Sequence, residues 1–351
     1  MLSFQDAIND SAQFSKRHLI LGNGFSIALR PDIFHYGSLF QRADFSTYPQ
    51  LPKVFQALGT QDFEVAIRSL ETGAKLAPIY GTSASSAAAM LTDSAALKEI
   101  LVETIAANHP DIPADIPDLK FWACRTFLRH FLGPNDGQIF TLNYDLLLYW
   151  ALMHEDNPFG TRPVPIVTND GFGNDEDDPG ADYVVWQGET AAHSAKVHFL
   201  HGALHLFDAG TDLQKYTWVR TNTRLVDQAR SAIGSNKFPL FVAEGTSGQK
   251  KAKIRHNAYL YQGFKQLVAN VQQPKVCFFI HGHSLAENDD HILRRIGAGR
   301  FPKLYISLFG EMVSEGNRQV IARANALSAM RKPSSPLKVE FYDAASAKVW
   351  G

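Results

Sequence analysis

HLILGNGFS, residues 18–26, is the stretch whose reading decides the fold. The run His18 to Leu21 is apolar and too short for a helix, and it ends in Gly22-Asn23-Gly24, the pattern of a buried strand entering a glycine turn. Glycines let a backbone approach a phosphate closely, and a helix starting behind them offers free N–H groups and a positive dipole end. Such a turn is also an ordinary structural feature, and this one lacks the third glycine of the dinucleotide fingerprint.

Working outward, the same design recurs. QIFTL (138–142) is a short apolar run followed at once by the helical DLLLYWALMHE, and further strands are expected at 183–187, 197–201, 239–243, 275–281, 303–308 and 337–341. Helical runs separate several of them, notably 257–273 and 286–296. Short apolar strands alternating with helices predict a Rossmann-like α/β fold, a mostly parallel, doubly wound sheet with helices on both faces. Residues 1–351 are expected to form one α/β domain, with a helical insertion at about 40–135 and an exposed, Gly/Asp-rich loop at about 169–182.

Composition narrows the function. Of 351 residues, 45 % are hydrophobic and 20 % charged, enough apolar material for a large core. The 34 basic and 35 acidic residues leave a net charge of −1, with no basic footprint for direct nucleic-acid binding. Two cysteines, Cys124 and Cys277, lie in apolar surroundings and read as core residues rather than zinc ligands. The first residues lack the charged and apolar regions of a signal peptide, and no apolar run reaches membrane-spanning length, so a cytoplasmic protein that avoids membranes is expected.

In an open parallel sheet, ligands bind beyond the carboxyl ends of the strands, so polar residues just after strands are the candidates. They are Gly22 to Ser26; Thr141, Asn143 and Asp145 in TLNYD; His201-Gly202; and Gly282-His283-Ser284. Asp145 could equally cap the next helix. A histidine at a strand end suits acid–base work near neutral pH. His205, four residues on, has no HExxH context or carboxylate partner in sequence, so no metal is expected. The acidic run Glu287 to Asp290 reads as a solvated helix start.

The succession GNGFS, TLNYD, LHG and GHS, each after an apolar strand, resembles the SIR2-like (sirtuin) superfamily over roughly residues 17 to 310. PLFVAEG also sits where that family carries an apolar strand ending in a glutamate, here Glu244. PLFVAEGTSGQKKAKIRHNAYL and GHSLAENDDHI look like a bacterial sirtuin-like group catalogued as a domain of unknown function, DUF4917. The resemblance implies that Gly22, Gly24 and Ser26 line the phosphates of NAD. It implies that Asn143 and Asp145 face nicotinamide and its ribose, that His201 is the acid–base residue, and that Gly282 and Ser284 contact the adenosine half. Asn23, Phe25, Thr141, Gly202, Glu244 and His283 complete the implied cofactor site.

Two departures matter. Two cysteines cannot supply the four-cysteine zinc ribbon of the family's deacetylases, and Asn23 stands where their loop usually has Ala. Zinc-free sirtuin-like proteins of bacteria include NAD hydrolases used in anti-phage defence, so the resemblance implies an NAD glycohydrolase; because free NAD hydrolysis would harm the cell that makes it, low basal activity switched on by an oligomer or an activating partner is expected. A non-catalytic NAD or ADP-ribose sensor and an NAD-dependent protein deacylase are the alternatives.

Overall fold

In the computed structural model, residues 1–31, 39–81, 83–107, 109–154, 159–160, 165–189, 194–216, 224–242 and 246–351 are described. Two sheets organise them. The strands are β1 (Lys16–Leu21), β2 (Ile139–Thr141), β3 (Phe172–Gly173), β4 (Tyr183–Trp186), β5 (Val197–Phe199), β6 (Gly202–Asp208), β7 (Leu213–Tyr216), β8 (Phe238–Phe241), β9 (Val276–His281), β10 (Lys303–Leu308) and β11 (Lys338–Asp343).

The first sheet is six-stranded and parallel throughout, in the order β11-β10-β9-β1-β2-β5. Read from β5, that is the Rossmann order: the chain steps outward from β1 through β2 to β5, then returns to the other side of β1 and steps outward through β9, β10 and β11. All six residues of β9 and of β10 are buried, as are the last five of β1. Covered on both faces, these strands are near-continuous apolar runs, and for that reason the sequence displays them plainly.

The helices are α1 (Phe4–Asp10), α2 (Gly24–Ile27), α3 (Leu39–Arg42), α4 (Leu51–Leu58), α5 (Phe63–Leu76), α6 (Ala84–Ala107), α7 (Asp118–Leu132), α8 (Leu147–Met153), α9 (Leu225–Gly234), α10 (Ser247–His256), α11 (Ala258–Val271), α12 (Asp290–Gly297) and α13 (Glu315–Ala329). Helices α2 to α7 lie between β1 and β2 in sequence, and α5 and α6 pack side by side there. Helix α5 starts where the Asp62 side chain accepts from Glu64 N, a local cap for an otherwise unpaired donor. Helix α7 packs on β1, α11 on β5, and α1 and α13 on β11.

The second sheet is five-stranded and antiparallel, in the order β3-β4-β7-β6-β8. The strands expected at 183–187 and 239–243 form over Tyr183–Trp186 and Phe238–Phe241, residue 243 lying outside the described residues, but in this sheet rather than the parallel one. An apolar pentapeptide has the same period in either setting, so pattern alone cannot assign its sheet. The expected exposed loop at 169–182 is exposed at Asn169 and over 176–180, yet its second residue is buried Asp170, whose Oδ2 accepts from buried Lys215 Nζ at 2.7 Å.

The carboxyl-terminal aromatic ties the crevice to the core. Trp350 is 2 % exposed, its ring centroid lies 5.1 Å from Phe25, and its Nε1 donates to the Phe25 carbonyl at 2.8 Å. Trp350→Ala is expected to lower unfolding free energy by about 3–5 kcal/mol through the lost packing. Trp350→Phe keeps most of that packing and should cost only about 1–2 kcal/mol. Urea unfolding of both variants checks this, and equal losses would show that the packing contributes little.

Candidate functional site

Beyond β1 and β9, where the direction of strand addition reverses, an α/β sheet opens a crevice. Two glycine turns meet there. Gly24 N donates to the Gly282 carbonyl at 2.7 Å, and Gly22 N donates to the His281 carbonyl at 3.0 Å. A Cβ on Gly24 would stand 2.6 Å from Gly282 Cα, and one on Gly282, whose φ is +68°, would stand 2.6 Å from Phe25 N. Only glycine fits either position.

This contact changes what the first loop offers. The N–H groups of Gly24, Phe25 and Ser26 donate to Gly282, Gly22 and Asn23 carbonyls respectively. The free donors expected at the helix start are thus engaged, because α2 is a single turn wedged against the β9 turn. Phe25 is fully buried against Trp350, so its side chain belongs to the core. Asn23 stands at the N-cap of α2 in helical conformation.

Polar residues after β2 lock onto this loop. Asn143 Nδ2 donates to the Gly22 carbonyl at 3.0 Å and to Ser26 Oγ at 3.2 Å, and Ser26 Oγ donates to Asp145 Oδ2 at 2.5 Å. Asn143 N donates to Thr141 Oγ1 at 3.0 Å, so Thr141 orients the asparagine from behind. Asp145 Oδ1 accepts from Leu147 N at 2.9 Å, the helix-capping role, while its other oxygen holds Ser26. Thr141, Asn143, Asp145 and Ser26 are all buried. Burial raises the Asp145 carboxyl to about 6, against the Ser26 and Leu147 hydrogen bonds that favour its ionised form.

His201 lies in the two-residue link between β5 and β6, at the seam of the two sheets. Its carbonyl accepts from Val242 N at 2.7 Å. Gly202, at φ +71°, lies so close to β8 that a Cβ would fall 2.0 Å from the Leu240 carbonyl oxygen, a packing role. The His201 ring is buried, and its Nε2 lies 3.1 Å from His291 Nε2 and 3.9 Å from Asp289 Oδ1. Burial pushes its imidazole down to about 3, with the nearby Asp289 charge opposing.

Asp289 is the hub of this cluster. Its Oδ1 accepts from Lys250 Nζ at 2.9 Å, and its Oδ2 lies 3.1 Å from His283 Nε2. Burial alone would raise the carboxyl, but the His283 hydrogen bond, the facing imidazoles and the Lys250 ammonium hold it well below the usual carboxylate range. His283 in turn abuts Gly22, since a Cβ there would come within 2.7 Å of His283 Cβ. The β9 turn that brings these groups inward carries Leu285 at φ +56°, a conformation costing a non-glycine residue on the order of 1–3 kcal/mol.

The structure therefore gathers Gly22 to Ser26, Thr141, Asn143, Asp145, Gly282 and His283 at the crevice and reaches His201 through Asp289. Ser284 is exposed, and Glu244 lies outside the described residues. Sequence reasoning missed Lys250, Asp289 and His291 as members of the site. Their signal was spacing: Asp289 and His291 are two apart, directly after a strand-end Gly-His-Ser. A cavity of about 370 Å³, lined in part by Phe55, Asp62, Phe241, Val242, Gln249 and Lys253, borders this seam, a volume within the usual range of ligand sites.

The raised Asp145 carboxyl has a stability consequence. A carboxyl raised on folding favours the native state while protonated, and that advantage is lost as pH climbs from about 4 towards about 6. Relative to Asp145→Asn, the wild type should lose roughly 2 kcal/mol across that window. Denaturant unfolding at several pH values measures the difference, and parallel pH curves for the two proteins would refute it.

The family described as "Domain of unknown function (DUF4917)" matches residues 19–350. No curated protein matches the chain. The family match runs from within β1 to the Trp350 that pins the glycine loop, taking in both glycine turns, Asn143, His201 and the Asp289 cluster, and the chain belongs to the DUF4917 family.

Proposed function

We propose that the chain is a SIR2-like NAD glycohydrolase, cleaving NAD with water to ADP-ribose, nicotinamide and a proton. One observation carries the reading. Asn143, its buried side-chain amide held by Ser26 and the Gly22 carbonyl and its backbone N–H held by Thr141, stands at the switch-point crevice of a sheet in Rossmann order, where dinucleotides bind. The order of the motifs along the chain, GNGFS, TLNYD, LHG and GHS, supports it.

Cleavage breaks the bond from nicotinamide nitrogen to ribose C1′, its electron pair leaves with nicotinamide, and C1′ takes on oxocarbenium character. In this reading Asn143 orients the water that adds to C1′, and His201, which burial holds neutral, relays the proton released towards solvent. Asp145, with both oxygens committed to Ser26 and Leu147, positions Asn143 through Ser26 instead of holding the carboxamide directly. Holding water and C1′ in register is the main contribution asked of the protein. A role in anti-phage defence, switched on by an oligomer or a partner, belongs to the same proposal.

The engaged loop amides favour a second reading. With Gly24, Phe25 and Ser26 N–H groups already bonded, the chain could bind NAD or ADP-ribose through other donors without turning it over. Nicotinamide release from NAD, followed by chromatography, separates the two. Hydrolysis predicts turnover by the wild type and a loss on the order of 100-fold in Asn143→Ala. Equal rates in both proteins, or binding of ADP-ribose by calorimetry without any nicotinamide release, would overturn it.

A further inference from the structure

The resemblance places His283 among the cofactor contacts, yet both of its ring nitrogens are engaged inside the protein. Nδ1 accepts from the backbone N–H of Leu285 at 2.8 Å, and Nε2 lies 3.1 Å from Asp289 Oδ2. The side chain is 7 % exposed, so both bonds are shielded from water.

These two partners fix where the proton sits. A backbone N–H can only donate, so the ring nitrogen facing it carries a lone pair and no proton. The ring's proton is therefore on Nε2. Asp289 agrees from the other side: its Oδ1 accepts from the Lys250 ammonium at 2.9 Å, its neighbours hold it ionised, and an ionised carboxylate only accepts. A second proton would have to go on Nδ1, where it would confront the Leu285 N–H. Turning the ring over would set carbon against both partners, so the same bonds fix its orientation.

The Leu285 bond serves a backbone that needs it. Leu285 is fully buried at φ +56°, and its carbonyl accepts from Arg323 Nε at 3.0 Å. His283 supplies the N–H partner two residues ahead, as an Asx side chain does in a turn. The His283 stem also stands against the first glycine loop, since a Cβ on Gly22 would come within 2.7 Å of His283 Cβ. The Gly22 carbonyl in turn accepts from Asn143 Nδ2 at 3.0 Å. A continuous path thus runs from Lys250 on α10 through Asp289, His283 and the Gly22 turn to Asn143.

We infer that His283 is a positioning residue: held in its Nε2–H tautomer between Leu285 and Asp289, it braces the Gly22 turn that orients Asn143. It keeps no lone pair for a proton or a ribose hydroxyl unless the Leu285 bond breaks. A metal ion at His201, Asp289 and His291, whose ligand atoms lie within 4.8 Å of one another, would need an Asp289 oxygen that Lys250 or His283 now holds. The effect on catalysis rests on the NAD-cleavage reading; the tautomer and the brace do not.

The test uses the full chain with ¹⁵N-labelled histidine, treated with chelator. Long-range ¹H–¹⁵N correlations distinguish the tautomers, and the His283 signals are identified by their loss in His283→Asn. The wild type should show His283 protonated on Nε2 alone; a proton on Nδ1, or averaged tautomers, overturns the inference. Added Zn²⁺ should leave the His283 Nε2 correlation in place, and its displacement overturns it too. Amide exchange then reads the brace. His283→Asn sets an oxygen near where Nδ1 stands and should keep the Leu285 amide protected. His283→Gln reaches Asp289 instead and should exchange that amide about tenfold faster. Equal Leu285 exchange in the two variants overturns the inference. If Gln fails to fold by circular dichroism, His283→Ala takes its place with the same expectation, and the wild-type tautomer decides alone if both fail. For nicotinamide release, Gln should lower kcat about tenfold or more with KM little changed, and Asn should recover most of that loss. A raised KM with unchanged kcat in both variants is the mark of a direct cofactor contact and overturns the inference. A confirmed tautomer and a protected turn in a chain that releases no nicotinamide remove the hydrolase reading and leave the brace standing.

Discussion

The contact between Gly24 and Gly282 governs everything built at the carboxyl edge of the parallel sheet. Two backbones meet where any side chain would collide, the Gly24 N–H donates to the Gly282 carbonyl at 2.7 Å, and β1 and β9 run in register for six residues behind them. Because the turns share one space, each fixes the other. The β1 turn presents the Gly22 carbonyl to Asn143, and the β9 turn swings His283 and Asp289 towards His201. Trp350 closes the arrangement from below by bonding the Phe25 carbonyl. A side chain at either glycine would therefore disturb Asn143 and His201 together, although neither touches the other in this set of contacts.

Two kinds of buried ionisable group result, and they behave oppositely. Asp145 sits in a shell of neutral donors, so burial outweighs two hydrogen bonds and its carboxyl rises to about 6. Asp289 is also buried, but a lysine and three histidines surround it, and its carboxyl falls well below the usual range. The difference lies in the neighbours rather than in the depth. Asp145 is suited to hold Ser26 and Asn143 in place, and Asp289 is suited to keep a fixed negative charge beside a proton-accepting ring.

The parallel strands were legible as strands because burial on both faces leaves short, near-continuous apolar runs between helical stretches, as in VCFFIH (276–281) and KLYISL (303–308). The antiparallel sheet was not. Strand β7 reads LQKY, polar by pattern, because Lys215 is buried by its pairing with Asp170, a partner forty-five residues away in sequence. Strand β6 follows β5 after a two-residue link, so HFLHGALHLF gave no sign of where one sheet ends and the next begins. Its His205, weighed as a metal ligand in sequence, stacks on Tyr149 at 4.3 Å inside the core. Cys124 and Cys277 are buried, as their apolar surroundings suggested, and burial pushes the Cys277 thiol up to about 12.

The site was legible in the same uneven way, and the reason is physical. Residues placed directly after strands, such as Asn143 and His201, take their position from the sheet, which the apolar pattern reveals. Asp289 and His291 take theirs from a turn held by Leu285 at positive φ, which no periodicity encodes. By composition ENDDH is a solvated helix start, and Lys250 belongs to a cationic surface run. Folded, each offsets part of the reason the other should be exposed: the ion pair of Lys250 and Asp289, at 2.9 Å, spares either side chain from lying buried as an unpaired charge. Sequence patterns register single residues against water. A buried pair from distant segments escapes them because neither member is at home inside without the other.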